Sequence, residues 1–208
     1  MRKKLDITTW NRRDHFNFFN SFEEPFFGIC VDVDCTLAYK KAKEIGASFF
    51  LYYLHKSLVA ANEITPFKYR IIDNEVWEYD QVDASAVITR ADGTFGFSYI
   101  NYDKDFAKFS ENAQEAIAKV QKSSGLIFAG AGENVIHCSA LPWLSFTSLS
   151  HARNYSYNDS CPKFSYGKVK VDGIKKLLPF SVHVNHALMD GFHVGQLVEQ
   201  FQELLNSN

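Results

Sequence analysis

The chain is poor in the features that mark several common function classes. Its four cysteines, Cys30, Cys35, Cys138 and Cys161, form no Cys-x-x-Cys pair of the kind a zinc site uses, and they are too sparse for a disulfide scaffold, so they read as reduced, mostly buried thiols. No hydrophobic run is long enough to span a bilayer; the densest, Phe49-Phe-Leu-Tyr-Tyr-Leu54, is far too short. The charged start Met1-Arg-Lys-Lys lacks the apolar stretch of a secretory signal, so a cytoplasmic protein is expected, with no membrane partner. Neither sign of charge dominates. A formal net charge of −2 supplies no basic field, which argues against nucleic acid as the main partner while leaving room for a local basic patch. Gly-x-Gly-x-x-Gly after a strand and Gly-x4-Gly-Lys-Ser/Thr are both missing, and Gly125-Leu-Ile-Phe-Ala-Gly-Ala-Gly132 has the wrong spacing for a phosphate cradle. There is no Gly-x-Ser-x-Gly elbow, and Ser145 and Ser148 sit in a polar run, so serine hydrolysis is unsupported.

What the chain does have is aromatic and apolar mass. Of its 208 residues 46% are apolar and 15% aromatic, with 19 Phe and 10 Tyr, and no Pro/Gly/Ser-rich linker divides them. A single domain over residues 1–208 is therefore expected. Thr8 or Thr9 is a candidate cap for a short helix through Trp10 to Phe16. Phe27, Ile29, Val31 and Val33 alternate with Gly28, Cys30, Asp32 and Asp34 as a half-buried strand does. Thr36 then looks like an N-cap, with helices over 37–45 and 48–62, the second apolar enough to be central.

Hairpins are expected over Pro66 to Tyr79, turning at Asp73-Asn74, and over Ser85 to Tyr99. A helix over 103–121 carries the inward stripe Phe106, Phe109, Ala113, Ile117 and Val120. A strand at Val135 to Leu141 ends before Pro142-Trp143, and Ser148 to Ser160 is a long polar loop. A last hairpin, Phe164 to Val171 with Leu178 to His186, turns at Asp172-Gly173 and leads into a terminal helix. Mixed hairpins and helices predict an α/β fold, a two-layer sandwich around a mixed β-sheet rather than a doubly wound parallel one.

The most informative stretch is Ser181-Val-His-Val-Asn-His186-Ala-Leu-Met-Asp190-Gly191-Phe-His-Val-Gly195. His186 stands where strand alternation stops, and from Val194 the apolar spacing is helical. A neutral histidine suits proton abstraction near neutral pH, although a hydrogen-bonded buried histidine is the commoner use. Asp190 can equally be the N-cap of the last helix. His183, His186 and His193 lack metal-ligand spacing and have no cysteine close by, so no metal is expected.

The segment Asn185-His186-Ala-Leu-Met-Asp190-Gly191-Phe-His-Val closely resembles the His-His-x-x-x-Asp-Gly-Phe-His-Val signature of the chloramphenicol acetyltransferase family. Further motifs of that family stand in the same order: Trp10-x-Arg-Arg-Asp-His-Phe, Val76-Trp77-Glu-Tyr-Asp-Gln-Val82-Asp, Thr94-Phe95, Ser139-Ala-Leu-Pro-Trp143-x-x-Phe and Leu178-Pro-Phe-Ser-Val-His-Val. The resemblance implies the CoA-dependent acyltransferase fold and a homotrimer with sites between subunits. It also implies direct transfer of acetyl from acetyl-CoA to a hydroxyl, on chloramphenicol in the drug-modifying members.

Residue by residue, the resemblance makes His186 the general base, its Nδ1 tied to its own backbone carbonyl. Asp190 pairs with Arg12, Arg13 being the less favoured partner. Ser139 donates to the oxyanion, and Ser165 takes the place of a threonine that holds a water. Lys168 falls near the CoA channel. Phe19, Phe27, Phe95 and Phe128 match positions lining the acceptor pocket.

Four departures stand out. Asn185 replaces the first histidine of the signature, Ala86 stands where a threonine is frequent, and His137 replaces an asparagine or a hydrophobe. Ser148-Leu-Ser-His151-Ala-Arg153-Asn-Tyr155 replaces a Phe-Asn-Leu-Asn-Val-Ala-Asn-like segment that walls the acceptor pocket. The expected function is acetylation of chloramphenicol. The alternatives are the same transfer to another hydroxyl, or a non-catalytic protein that binds a drug or an acyl-CoA.

Overall fold

A computed structural model describes residues 1–126, 132–155, 157 and 159–207. The Phe27–Val33 alternation becomes β2 (Phe26–Asp34), which pairs along its whole length with β10 (Lys175–Asn185). From that pair a seven-stranded sheet is built. β10 pairs with β8 (Lys163–Tyr166) and β9 (Lys170–Asp172), β8 with β7 (Val135–Ala140), β7 with β5 (Asp83–Thr89), and β5 with β6 (Phe95–Phe97). The β5/β7 and β7/β8 pairs are parallel and the others antiparallel, so the sheet is mixed as the sequence pattern predicts.

Four helices form the second layer: α2 (Thr36–Glu44), α3 (Phe49–Glu63), α4 (Phe106–Gln121) and α5 (Gly191–Asn206). The apolar α3 is central, with Leu54, Leu58, Ala60 and Ala61 fully buried. Tyr53 on α3 meets Tyr166 at 4.7 Å between ring centroids, and Phe201 on α5 meets Phe180 at 5.0 Å. The helices therefore cover the sheet face bearing Phe164, Tyr166, Phe180 and Val182. The opposite face carries cross-strand rows of polar residues. One row is Ser139, Ser165, Ser181 and Cys30; the next is His137, Lys163, His183 and Gly28.

A separate three-stranded sheet holds β1 (Arg2–Lys4), β4 (Glu75–Tyr79) and β3 (Tyr69–Ile72). Asp73 and Asn74 turn the β3/β4 hairpin with positive φ of 53° and 60°, the conformation such a turn demands of its two central residues. Pro66 does not begin the strand, because Thr65–Lys68 is a 3-10 turn. Arg70 of β3 is wholly buried, with no carboxylate partner among the described residues. It donates to the carbonyls of Glu133, Phe67, Tyr69 and Val135 at 2.5–2.9 Å, fastening the small sheet to the start of β7.

Several boundaries differ from the sequence reading. Thr8 is drawn into a turn with Asp6, whose Oδ1 accepts from its N–H and hydroxyl, so the first helix, α1 (Arg13–Phe19), starts later. Thr36 does not cap α2 but is its first residue. Asp34 accepts from both its N–H and its hydroxyl. The expected strand from Phe164 to Val171 is broken into β8 and β9, because Lys168 N–H turns aside to the Leu144 carbonyl at 2.7 Å.

Candidate active site

The turn after β10 is held by backbone and side chain together. His186 N–H donates to the Pro25 carbonyl at 2.8 Å, while Leu188 and Met189 N–H both donate to the Asn185 carbonyl. Asn185, buried at the strand end, accepts from Ala187 N–H through its Oδ1 at 2.9 Å and donates to the Asp159 carbonyl at 3.5 Å. A short amide at this position thus closes the turn by the same self-bonding that favours Asn in loops. The replaced histidine of the signature is accommodated in this way.

Asp190 follows as the N-cap of α5, accepting from Phe192 N–H at 3.1 Å. His193 completes a capping box: its Nδ1 lies 3.2 Å from Asp190 N and 2.9 Å from Asp190 Oδ1. A bare Nδ1 accepts from the backbone, and a protonated one donates to the carboxylate. The other carboxylate oxygen receives Arg12 Nη1 at 2.5 Å, and Arg12 Nη2 reaches the His186 carbonyl at 3.5 Å. Both readings of Asp190 hold at once, cap and ion-pair partner. Partial burial raises its pKa, but the Arg12 hydrogen bond and charge outweigh this and hold the carboxyl below its usual range. Arg13 instead pairs with its neighbour Asp14 in solvent.

The imidazole of His186 is clasped by two rings. Phe19 stacks on it with centroids 3.9 Å apart and planes within 4°, and Phe27 lies tilted at 4.6 Å. Its Nδ1 is buried without a hydrogen-bond partner among the described residues; the expected tie to its own carbonyl is not made, and stacking orients the ring. Its Nε2 makes no hydrogen bond among the described residues.

Ser139 is partly exposed on β7 beside Ser165, which is fully buried with its hydroxyl unpartnered. Neither lies near His186. Ser181 faces Ser165 and Ser165 faces Ser139, while His186 lies five residues beyond Ser181, just past the end of β10. At ~3.3 Å per residue and ~4.8 Å per strand, Ser139 and His186 are ~19 Å apart within one chain. Phe95, half exposed on β6 at the far end of the sheet, touches Phe97. Lys168 is exposed next to Leu144, held by its backbone. Phe128 lies outside the described residues.

Between His186 and the serine row, the loop containing His151 and Arg153 closes a cavity of about 250 Å³ over the polar sheet face. His183 lies on its floor against Gly28, where a Cβ would sit 2.1 Å from His183 Nε2, so only glycine permits that approach. His151 stands edge-on to His183 with centroids at 4.6 Å. Burial, then the neighbouring His183, Lys163 and Arg153, push the His151 pKa down to about 4, and burial lowers that of His183 as well. Arg153 lies flat on Phe26 at 3.6 Å and donates to Glu24 at 3.0 Å, and Lys163 donates to Asp159.

Sequence reasoning placed His151 and Arg153 here but missed Glu24, Asp159 and Lys163. The signal for Lys163 was its place opposite His183 in strand register. His137, Asp159 and Cys161 bring potential ligand atoms within 4.8 Å of one another, yet the Lys163 ammonium already engages the Asp159 carboxylate there. No helix among the described residues is long and apolar enough to cross a membrane.

This arrangement has counterparts in known proteins. A family profile described as chloramphenicol acetyltransferase matches residues 2–202. The chain belongs to the chloramphenicol acetyltransferase family. A relative so named from Proteus mirabilis is 30% identical over 200 residues, spanning 96% of this chain and 92% of that protein. A solved chloramphenicol acetyltransferase structure superposes with a TM-score of 0.91 at 32% identity, over 99% of this chain and 100% of that one. A probable dihydrolipoamide acetyltransferase from Listeria monocytogenes shares the fold, with a TM-score of 0.68 at 14% identity over 98% of this chain and 94% of that one. The two-layer architecture is thus that of the CoA-dependent acyltransferases.

Proposed function

We propose that this member of the chloramphenicol acetyltransferase family is an acetyl-CoA-dependent O-acetyltransferase whose base is His186. The observation that carries the reading is the clasped imidazole, its Nε2 without a hydrogen bond among the described residues, on a turn anchored by Arg12 and Asp190, in a chain matching the family over residues 2–202. His186 Nε2 takes the proton of an acceptor hydroxyl as its oxygen bonds to the acetyl carbonyl carbon. Ser139 donates to the oxyanion that forms. The carbon–sulfur bond then breaks, and His186 returns the proton to the CoA sulfur. Ser165, buried and unpartnered, supplies a hydroxyl for a water beside that intermediate. Lys168 offers an exposed cation to the anionic end of CoA.

A base and an oxyanion donor ~19 Å apart cannot serve one reaction within a chain. The reading therefore includes a homotrimer in which Ser139 of one copy faces His186 of the next, working in the cytoplasm without nucleic acid, membrane or metal. Chloramphenicol is the acceptor carried by the family name. A second reading, transfer to another hydroxyl compound, is favoured by the charged and imidazole groups around the His151 cavity. Thiol release from acetyl-CoA tests both. Release with chloramphenicol supports the first, release with another alcohol alone supports the second, and binding without any release would refute catalysis.

A further inference from the structure

Strand β6 is an edge, three residues long and paired on one side only, yet it brings two aromatic rings to the sheet face that bears Ser139. Ala86 lies beside Cys138 in the parallel β5/β7 pair, so Val87, one step on, is level with Ser139, and Val87 stands opposite Phe97. Side chains alternate along a strand, so Phe95 and Phe97 share the open face with Ser139, while Gly96 turns to the helix side. Phe97 lies two strand spacings, ~10 Å, from Ser139. Phe95 meets it edge-on with ring centroids at 5.7 Å. The pair forms a wall for the flat end of an acceptor whose hydroxyl reaches Ser139.

A strand so short has few backbone bonds of its own to hold that wall. Arg90, buried just beyond the end of β5, holds it from behind. Its Nη1 donates to the Phe95 carbonyl at 2.7 Å and to Thr94 Oγ1 at 3.2 Å. Its Nη2 donates to the Gly125 carbonyl at 2.6 Å and to Ser123 Oγ at 3.2 Å, and its Nε to the Val120 carbonyl of α4 at 2.9 Å. The five N–H groups of the guanidinium thus meet five oxygens, none of them a carboxylate. A Cβ at Gly96 would stand 2.5 Å from Nη2, so the guanidinium lies against β6 only because position 96 has no side chain. An apolar residue of similar volume would fill the same gap without desolvating a charge, but it would not fix β6, α4 and Gly125 relative to one another.

We propose that Arg90 is a positioning residue for the acceptor. By fixing β6 it sets the depth of the Phe95–Phe97 wall against which the ring of an aryl acceptor such as chloramphenicol lies, and it governs acceptor binding without touching the acceptor. The inference rests on the acetyl-transfer reading and adds to it a residue outside every motif of the sequence.

The test is steady-state kinetics of Arg90→Lys, Phe95→Ala and the double variant with chloramphenicol and acetyl-CoA. Lysine keeps the charge but offers three donors to five acceptors, so the grip on β6 is loosened without being neutralised. Arg90→Lys and Phe95→Ala are each expected to raise the KM for chloramphenicol about fivefold or more, with the KM for acetyl-CoA changed by less than about twofold. Because both act on one wall, the double variant should be no worse than Phe95→Ala alone. A residue that served stability only would lower the melting temperature and leave both KM values unmoved. An unchanged chloramphenicol KM in Arg90→Lys, or effects that multiply in the double variant, would overturn the inference while leaving acetyl transfer intact. If Arg90→Lys does not fold, Gly96→Ala, which drives a methyl group into the guanidinium, takes its place with the same expected outcomes. Absence of thiol release by the wild type would instead remove the transfer reading. Titration of chloramphenicol into the wild type and Arg90→Lys then decides the role of Arg90: weaker binding by the variant upholds it, and equal binding or none overturns it.

Discussion

Arg12 and Asp190, 178 positions apart in sequence, meet at 2.5 Å, and through this contact the N-terminal segment holds the turn that carries His186. Arg12 also touches the His186 carbonyl, so the pair bears on the backbone of the proposed base. Removal of the guanidinium by Arg12→Ala leaves a partly buried carboxylate. The expected loss is ~1–3 kcal/mol, between the values for exposed and buried pairs. Because the folded pKa of Asp190 is depressed, its contribution is present above the unfolded carboxyl pKa and is lost as pH falls through the folded one. Urea melts at neutral pH and at pH 3 should therefore show a larger penalty for Arg12→Ala at neutral pH. Equal penalties at both would contradict this.

Stacking should matter more than hydrogen bonding for the orientation of His186, since Phe19 covers its ring and Nδ1 has no partner. For Phe19→Ala we expect kcat to fall ~10-fold or more, as misplacement of a catalytic group does, with little change in the KM for acetyl-CoA. Phe19→Tyr, which keeps the ring, should retain most of the rate. Steady-state kinetics of the two variants checks this. Equal kcat for alanine and tyrosine would remove stacking from the account.

The sequence was most legible where periodicity and turn chemistry agreed. Phe27 to Val33 alternated and became β2; Asp73-Asn74 turned the predicted hairpin. It was least legible where a distant group decided. Thr8 was lost as a cap to Asp6, Thr36 to Asp34, and the strand after Phe164 to the Leu144 carbonyl. At the site, the motif order located His186, Asp190 and Arg12. Local pattern could not reveal that Ser139 stands ~19 Å from His186, because that follows from strand register.

Arg70 is a fully buried cation that no periodicity announces. Its replacement by methionine keeps apolar bulk but strips donors from four carbonyls, two of them in the segment that begins β7. Destabilisation of ~3 kcal/mol or more is expected, read as a lower urea midpoint with an unchanged slope. A midpoint within error of the wild type would show that water satisfies those carbonyls equally well.

The imidazole of His151 gives the fold an acid-side dependence. Its folded pKa of about 4 lies below the ordinary 6.5, so the unfolded chain binds the proton first. Stability on this account falls as pH drops from 6.5 to 4 and levels off below that. His151→Leu should flatten this part of the profile, measured as melting temperature against pH. An identical slope in wild type and variant would assign the titration to other groups.

The central claim is that base and oxyanion donor come from different copies of the chain. His186→Ala and Ser139→Ala should each be nearly inactive, the serine variant by ~10²-fold or more in kcat with acetyl-CoA binding intact. The most direct measurement is to unfold the two variants together, refold the mixture and assay it. In a cyclic trimer every mixed assembly keeps one site with both residues intact, so an equal mixture should recover about a quarter of wild-type turnover. A mixture no more active than its components would contradict a site shared between subunits.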